Sequence, residues 1–153
     1  MSSLIETVGA LLIRPDGEVL LGLRASWKKV WPQHWDTIGG RVEADESLDA
    51  ALVREVQEEV GVTPTGFERV ASIRERRPDL YGDALHHLYV VTRWAGGEPA
   101  NACDEHSEVR WFTVEEMHRL ENIVDGDYPR HAQRAIDLLR GVRGTDAAKK
   151  RQT

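Results

Sequence analysis

Residues 40–62 read GRVEADESLDAALVREVQEEVGV. From Leu48 to Val60 the stretch holds no Gly or Pro; Asp45 or Ser47 can cap its start, and Gly61 supplies a stop. This pattern predicts a helix over 48–60. On such a helix Glu55, Glu58 and Glu59 fall within an arc of about 100°, beside an apolar stripe of Val53, Val56 and Val60. One side of the helix is therefore core, and the adjoining side is a cluster of three carboxylates. Like charges at these spacings repel by roughly a few tenths of a kcal/mol per pair. Most Glu-rich helix faces are simply solvated surface. A divalent cation between the three would remove the repulsion, and hard Mg²⁺ or Mn²⁺ suits carboxylate oxygens.

Outward from the helix, the chain alternates strands and turns. Thr7–Ile13 and Glu18–Leu23 read as a hairpin closed by Pro15-Asp16-Gly17. Ala25–Asp36 reads as irregular, with Pro32 arguing against a helix through Trp27, Trp31 and Trp35. Gly39-Gly40 reads as a loop that lacks the spacing of a dinucleotide fingerprint. After the helix, Phe67–Arg74 and Leu85–Trp94 read as strands joined by a loop or hairpin tip over Arg76–Asp83. Glu108–Phe112 reads as a further strand, Thr113 as the cap of a short helix to Leu120, and Pro129–Val142 as the last helix. Residues 1–144 are thus expected to form one α/β domain with a mixed sheet, and 145–153 a flexible tail.

Composition bounds the partners. The 153 residues carry 20 Lys+Arg and 26 Asp+Glu, a net charge of −6. Segment 43–59 contains seven acids and one base, so it holds the whole net charge and the rest of the chain is neutral. Such a balance argues against wrapping a nucleic-acid polymer, which needs excess Lys and Arg. It does not argue against a phosphate-bearing small molecule, because bound cations would offset the block. The longest early apolar run, Val8–Ile13, is too short for a membrane span or a signal segment. One cysteine, Cys103, cannot form an internal disulfide. The expectation is a cytoplasmic protein with no membrane partner.

The spacing inside 40–62 is specific. Gly40 is followed by five residues and Glu46, then seven residues and Arg54-Glu55-Val56, one residue, Glu58-Glu59, one residue, Gly61 and Val62. This resembles the signature of the Nudix hydrolase family, in its MutT-like branch. The resemblance implies an α/β/α sandwich with a mixed β-sheet and a Mg²⁺-dependent (or Mn²⁺-dependent) pyrophosphohydrolase. Carried onto matching positions, it makes Glu55, Glu58 and Glu59 metal ligands. The backbone carbonyl of Gly39 or Gly40 often adds another. Arg54 and Glu46 look like a pair that orients the first carboxylate, and Gly40 and Gly61 are structural support. Two positions depart from the family pattern. Ile38 stands where Pro is usual and Asp45 where Gly is common; neither removes a ligand, so activity is expected to persist.

Outside the signature, MutT-like enzymes often place a catalytic Glu ahead of a strand such as the one at Trp111. Glu105 is the choice here and Glu108 its competitor. Trp27, Lys28, Lys29 and Trp31 could stack a base and hold a phosphate, although aromatics there could equally form a core edge. Arg24, Lys28, Arg41 and Arg76 are the substrate-binding candidates, with Arg77 and Tyr81 beside Arg76 in a second recognition loop. Adjacent His86 and His87 cannot share one ion on a strand; one in the core and one towards a cleft is expected. Cys103 has no base at a telling position, so a nucleophilic role is not expected. The expected substrate is a nucleoside triphosphate, oxidised forms such as 8-oxo-dGTP included, cleaved to a monophosphate and pyrophosphate. ADP-ribose or another nucleotide sugar is the alternative. A non-catalytic nucleotide-binding module is the reading from a different class, but such modules commonly lose a signature carboxylate and none is lost here. The resemblance also allows a homodimer.

Overall fold

A computed structural model describes residues 4–141. Its organising strand is β1 (Ile5–Ile13), which alternates its side chains between two apolar layers. Leu11 and Ile13 join one buried cluster, while Val8, Ala10 and Leu12 join the other. A strand buried on both faces must be covered on both, and helices do this here.

One edge of β1 runs parallel to β6 (Ala84–Ala95) from Ile5↔Ala84 to Leu12↔Val91. The other edge is shared. Its first half pairs antiparallel with β4 (Ile38–Arg41), and its end pairs with β2 (Val19–Arg24), closing the expected hairpin. β3 (Trp35–Asp36) and β7 (His106–Phe112) both pair with β2, and β5 (Thr63–Arg74) pairs with β6 at the far edge. The result is a 7-stranded mixed sheet.

Helix α1 (Leu48–Val60) lies on one face, burying Ala51, Leu52, Val56 and Val60 against Val8, Ala10, Leu12 and Tyr89. A short α2 (Pro78–Tyr81) interrupts the β5–β6 connection. On the opposite face α3 (Val114–Arg119) and α4 (Tyr128–Leu139) bury Met117, Ala132 and Ile136 against Leu11, Leu21, Leu88 and Val90. This is the expected α/β/α sandwich. Among the described residues no helix is long and apolar enough to cross a membrane.

Several local expectations are sharpened or corrected. Ser47, not Asp45, caps α1 by accepting the Ala50 N–H at 3.1 Å. Asp45 instead holds a left-handed turn at φ 65°, a conformation that favours glycine. Gly61 closes the helix at φ 75°. Gly39-Gly40 is not a loop: it lies in β4, paired with Gly9 and Val8. Ile38, in the same strand, is fully buried against α1, so its side chain fills core that Pro would fill less well. Thr113 caps α3 in a reciprocal box with Glu116. The last helix ends at Leu139, short of the expected Val142, which with the expected tail at 145–153 lies outside the described residues.

Candidate active site

A cleft of about 750 Å³ opens beside β4 and the second half of α1. Its metal-side wall carries Glu55, Glu58 and Glu59, with Gly39, Gly40 and Arg41 next to them. Helical spacing places the three carboxylates along the same cleft lining, and their environments differ. Glu58 is exposed, Glu55 is largely covered, and Glu59 is 2% exposed. Glu59 Oε1 accepts the Gly39 N–H at 3.1 Å and lies 2.8 Å from His106 Nε2.

Arg54 is the organiser of this wall. Its Nε and Nη2 grip Glu46 at 2.7 and 2.9 Å, a bidentate pairing. Its Nη1 reaches Glu55 at 2.8 Å and Glu58 at 3.3 Å, and Nη2 also donates to the Arg41 carbonyl at 3.0 Å. The expected support role of Glu46 and Arg54 therefore has a geometry. The Arg54 hydrogen bond holds the Glu46 carboxyl down to about 2. Glu55 moves the other way. Burial, against the pull of the Arg54 hydrogen bond, and the adjacent Glu59 and Glu58 charges push it up to about 7. Gly40 matters sterically: a Cβ there would lie 2.6 Å from the Glu55 carboxylate carbon.

The donor chemistry fits a hard divalent cation. Three carboxylates line the same cleft, Glu55 and Glu59 largely or wholly withdrawn from water, and among the described residues Arg54 pairs with Glu55 and Glu58 but not with Glu59. Glu59, Cys103 and His106 also place ligand atoms within 4.8 Å of one another. That set suits Mg²⁺ poorly, since a sulfur ligand is soft and Mg²⁺ takes hard oxygen donors.

The opposite wall is built from distant segments. Lys28 reaches across to Glu105, Nζ to Oε1 at 3.0 Å, so the base candidate lines the cleft already paired with a cation. Its competitor Glu108 is on β7 bound to Arg110, and does not line the cleft. Trp31 donates its indole N–H to Glu75 at 2.9 Å and packs 5.1 Å from Tyr81. Trp27, by contrast, stands 60% exposed at the rim. Trp31 and Gln33 both hold positive φ, 48° and 59°, in a region costly for side chains of that size. Burial opposes it, yet bonds from His86, the Arg77 amide and Trp31 keep the Glu75 carboxyl below its ordinary value.

Two of the expected substrate-binding arginines are already engaged. Arg24 lines the cleft but donates to the Val30 carbonyl at 2.7 Å and to Asp36 at 3.2 Å. Arg76 bridges Asp125 and Asp127 at 3.0 and 3.1 Å. Arg41 lines the cleft, whereas Arg77 pairs with Asp79 outside it. Trp35 is core, edge-on to Phe112. His86 and His87 take separate partners, but both border the cleft, so the expected split between core and cleft is not what the fold gives. His86 bridges Thr7 and Glu75, and His87, which is buried, bridges Ser72 and Glu6.

His106, Asp36, Asp125 and Tyr128 are the cleft-region residues that motif reading missed. Asp36 accepts from Tyr128 at 2.8 Å, a contact between residues 92 positions apart. Only His106 had a local signal, as the residue after the base candidate and ahead of a strand.

Comparison with known proteins agrees with this architecture. The NUDIX domain family model matches residues 4–133. The CTP pyrophosphohydrolase of Escherichia coli (strain K12) is 37% identical over 144 residues, 94% of this chain and 98% of that protein. The solution structure of the E. coli ORF135 protein superposes with TM-score 0.69 at 32% identity, covering 90% of this chain and 94% of that one. The crystal structure of the MutT protein from Methanosarcina mazei Go1 gives TM-score 0.75 at 25% identity, covering 88% and 96%.

Proposed function

The chain belongs to the Nudix hydrolase family, and from that premise we propose that it hydrolyses a nucleoside triphosphate to the monophosphate and pyrophosphate. The observation that carries this reading is the asymmetric cleft. One wall presents three carboxylates suited to a divalent cation, and aromatic and basic side chains line the same cleft. The similarity over nearly the whole length of a CTP pyrophosphohydrolase makes CTP and its deoxy form the first substrates to assay.

Glu55, Glu58 and Glu59 would hold Mg²⁺ or Mn²⁺, with the Gly39 carbonyl as a further candidate ligand. Bound there, the cation neutralises phosphate oxygens and lowers the pKa of water. Arg54 fixes Glu55 against Gly40, so that carboxylate is oriented before substrate arrives. Glu105 is the candidate base: it borders the cleft, and Lys28 holds it in place. Lys28 also brings positive charge to a cleft whose other wall is acidic, and Arg41 adds more at that wall's edge. Trp31 and Tyr81 supply the flat apolar surface a nucleobase needs.

The test is a Mg²⁺-dependent assay of purified protein across CTP, dCTP, the other nucleoside triphosphates, 8-oxo-dGTP and ADP-ribose, with products identified. Release of pyrophosphate and a monophosphate from a triphosphate supports the reading. Turnover confined to ADP-ribose moves the substrate to a nucleotide sugar. Nucleotide binding with no product under any cation removes the enzymatic reading.

A further inference from the structure

We infer that His106 is a positioning residue for the cation site, a neutral donor that turns the Glu59 carboxylate so that Oε2 faces the cleft. The inference rests on the reading of Glu59 as a cation ligand and adds a residue outside the signature to it.

Glu59 is a buried carboxylate. Among the described residues no Lys or Arg pairs with it; Arg54 reaches Glu55 and Glu58 instead. Burying a charge without a counter-charge is costly, so its partners matter. Both of them converge on one oxygen: the Gly39 amide and His106 Nε2 each meet Oε1. Among the described residues no protein group hydrogen-bonds Oε2, while the residue borders the cleft. Two donors on one oxygen fix the rotation of the carboxylate and leave the other oxygen as the open ligand.

The tautomer follows from the same contacts. An ionised Glu59 can only accept, so Nε2 carries the hydrogen. Nδ1 is buried and has no hydrogen-bond partner. Its bare lone pair is tolerable there, whereas an N–H at that position would be orphaned. Gly22 makes this seat. A Cβ on Gly22 would lie 2.5 Å from His106 Nδ1, so any larger residue pushes the ring away from Glu59. The backbone is held as well, since Asn101 Nδ2 donates to the His106 carbonyl at 2.9 Å. Second partners of metal-ligating groups are worth about 10–100-fold in metal affinity.

The experiment is direct Mn²⁺ binding to nucleotide-free protein by calorimetry, alongside thermal melts. His106→Gln keeps a donor near the Nε2 position. His106→Phe keeps an aromatic ring and removes the donor. The expected result is Mn²⁺ affinity about 10–100-fold weaker in His106→Phe and near parental in His106→Gln. In turnover, the Mg²⁺ concentration for half-maximal rate should rise by the same factor in His106→Phe, while KM for nucleotide at saturating Mg²⁺ holds. A folded Gly22→Ala should weaken Mn²⁺ by displacing the His106 ring with its chemistry unchanged, and it carries the test if His106→Phe does not fold. Parental Mn²⁺ affinity in folded His106→Phe overturns the inference, as does equal weakening in Phe and Gln variants. Parental affinity in folded Gly22→Ala overturns the seat. If the parent protein binds no Mn²⁺ at all, the cation-site reading itself has failed, and the inference with it.

Discussion

The two walls of the cleft are built on opposite principles. The metal-side wall comes from one short stretch, residues 39–59, in which a strand, a turn and a helix follow in order. Most of its ties are local, Arg54 to Glu46, Glu55 and Glu58 all lying within eight positions, and one long tie, Glu59 to His106 47 positions on, joins it to the rest of the sheet. The recognition wall joins the segment after β2, the β5–β6 connection and the start of α4. Its ties span long separations, 77 positions between Lys28 and Glu105 and 49 between Arg76 and Asp125. A wall held by one helix can fix carboxylates to within a fraction of an ångström. A wall assembled from loops varies without disturbing that chemistry, which is how one signature serves many substrates.

Substitutions should separate the two walls. The largest loss is expected from Glu58→Gln, Glu59→Gln and Glu105→Gln: kcat lower by about 100-fold or more, with folding retained. Steady-state kinetics and circular dichroism check this, and Glu108→Gln serves as the contrast because its side chain lies outside the cleft. Arg54→Lys comes next. Lysine cannot reproduce the fork that holds Glu46 while reaching Glu55, so kcat should fall about 10–100-fold and apparent Mg²⁺ affinity with it. On the recognition wall, Glu75→Gln weakens the support of Trp31. KM for nucleotide should rise by about tenfold, the equivalent of one strong hydrogen bond, with kcat nearly unchanged.

The smallest effect concerns Glu55 and pH. Burial and the neighbouring carboxylates hold its carboxyl at about 7 in the folded protein, against an ordinary 4.5. The folded state therefore holds this proton more tightly than the unfolded one. The associated stability is complete below pH 4.5 and is lost as pH rises through about 7. Melting with chelator across that window should show a decline that Glu55→Gln flattens. Added Mg²⁺ at pH 8 should restore the parent and leave the variant unmoved.

What was legible in the sequence follows the same division. The helix at 48–60 was read to the residue, because periodicity, a capping serine and a stopping glycine all act locally. The strands β1 and β6 were legible as apolar runs, whereas their burial on both faces emerges only from the packing. Gly39-Gly40 was misread as a loop because glycine carries no β propensity, and its strand exists only through pairing with β1. Arg24 and Arg76 stand in the sequence as substrate-binding candidates with no sign of their partners. Asp36 and Asp125, which engage them, come close only after the chain folds. His106 escaped for the same reason: its partner Glu59 is 47 positions earlier.

Trp31 and Gln33 carry a thermodynamic consequence. Each left-handed backbone costs on the order of 1–3 kcal/mol, held in place here by the Glu75, His34 and Tyr81 contacts around Trp31. The loop is thus ordered at the expense of global stability before any ligand arrives. A nucleotide then meets a surface with little rotational freedom left to lose, and its association should show a modest entropic penalty. Gln33→Gly would relieve the strain and raise the melting temperature. It would also hand the lost flexibility back to the loop, so that tighter folding and weaker nucleotide capture appear in the same variant.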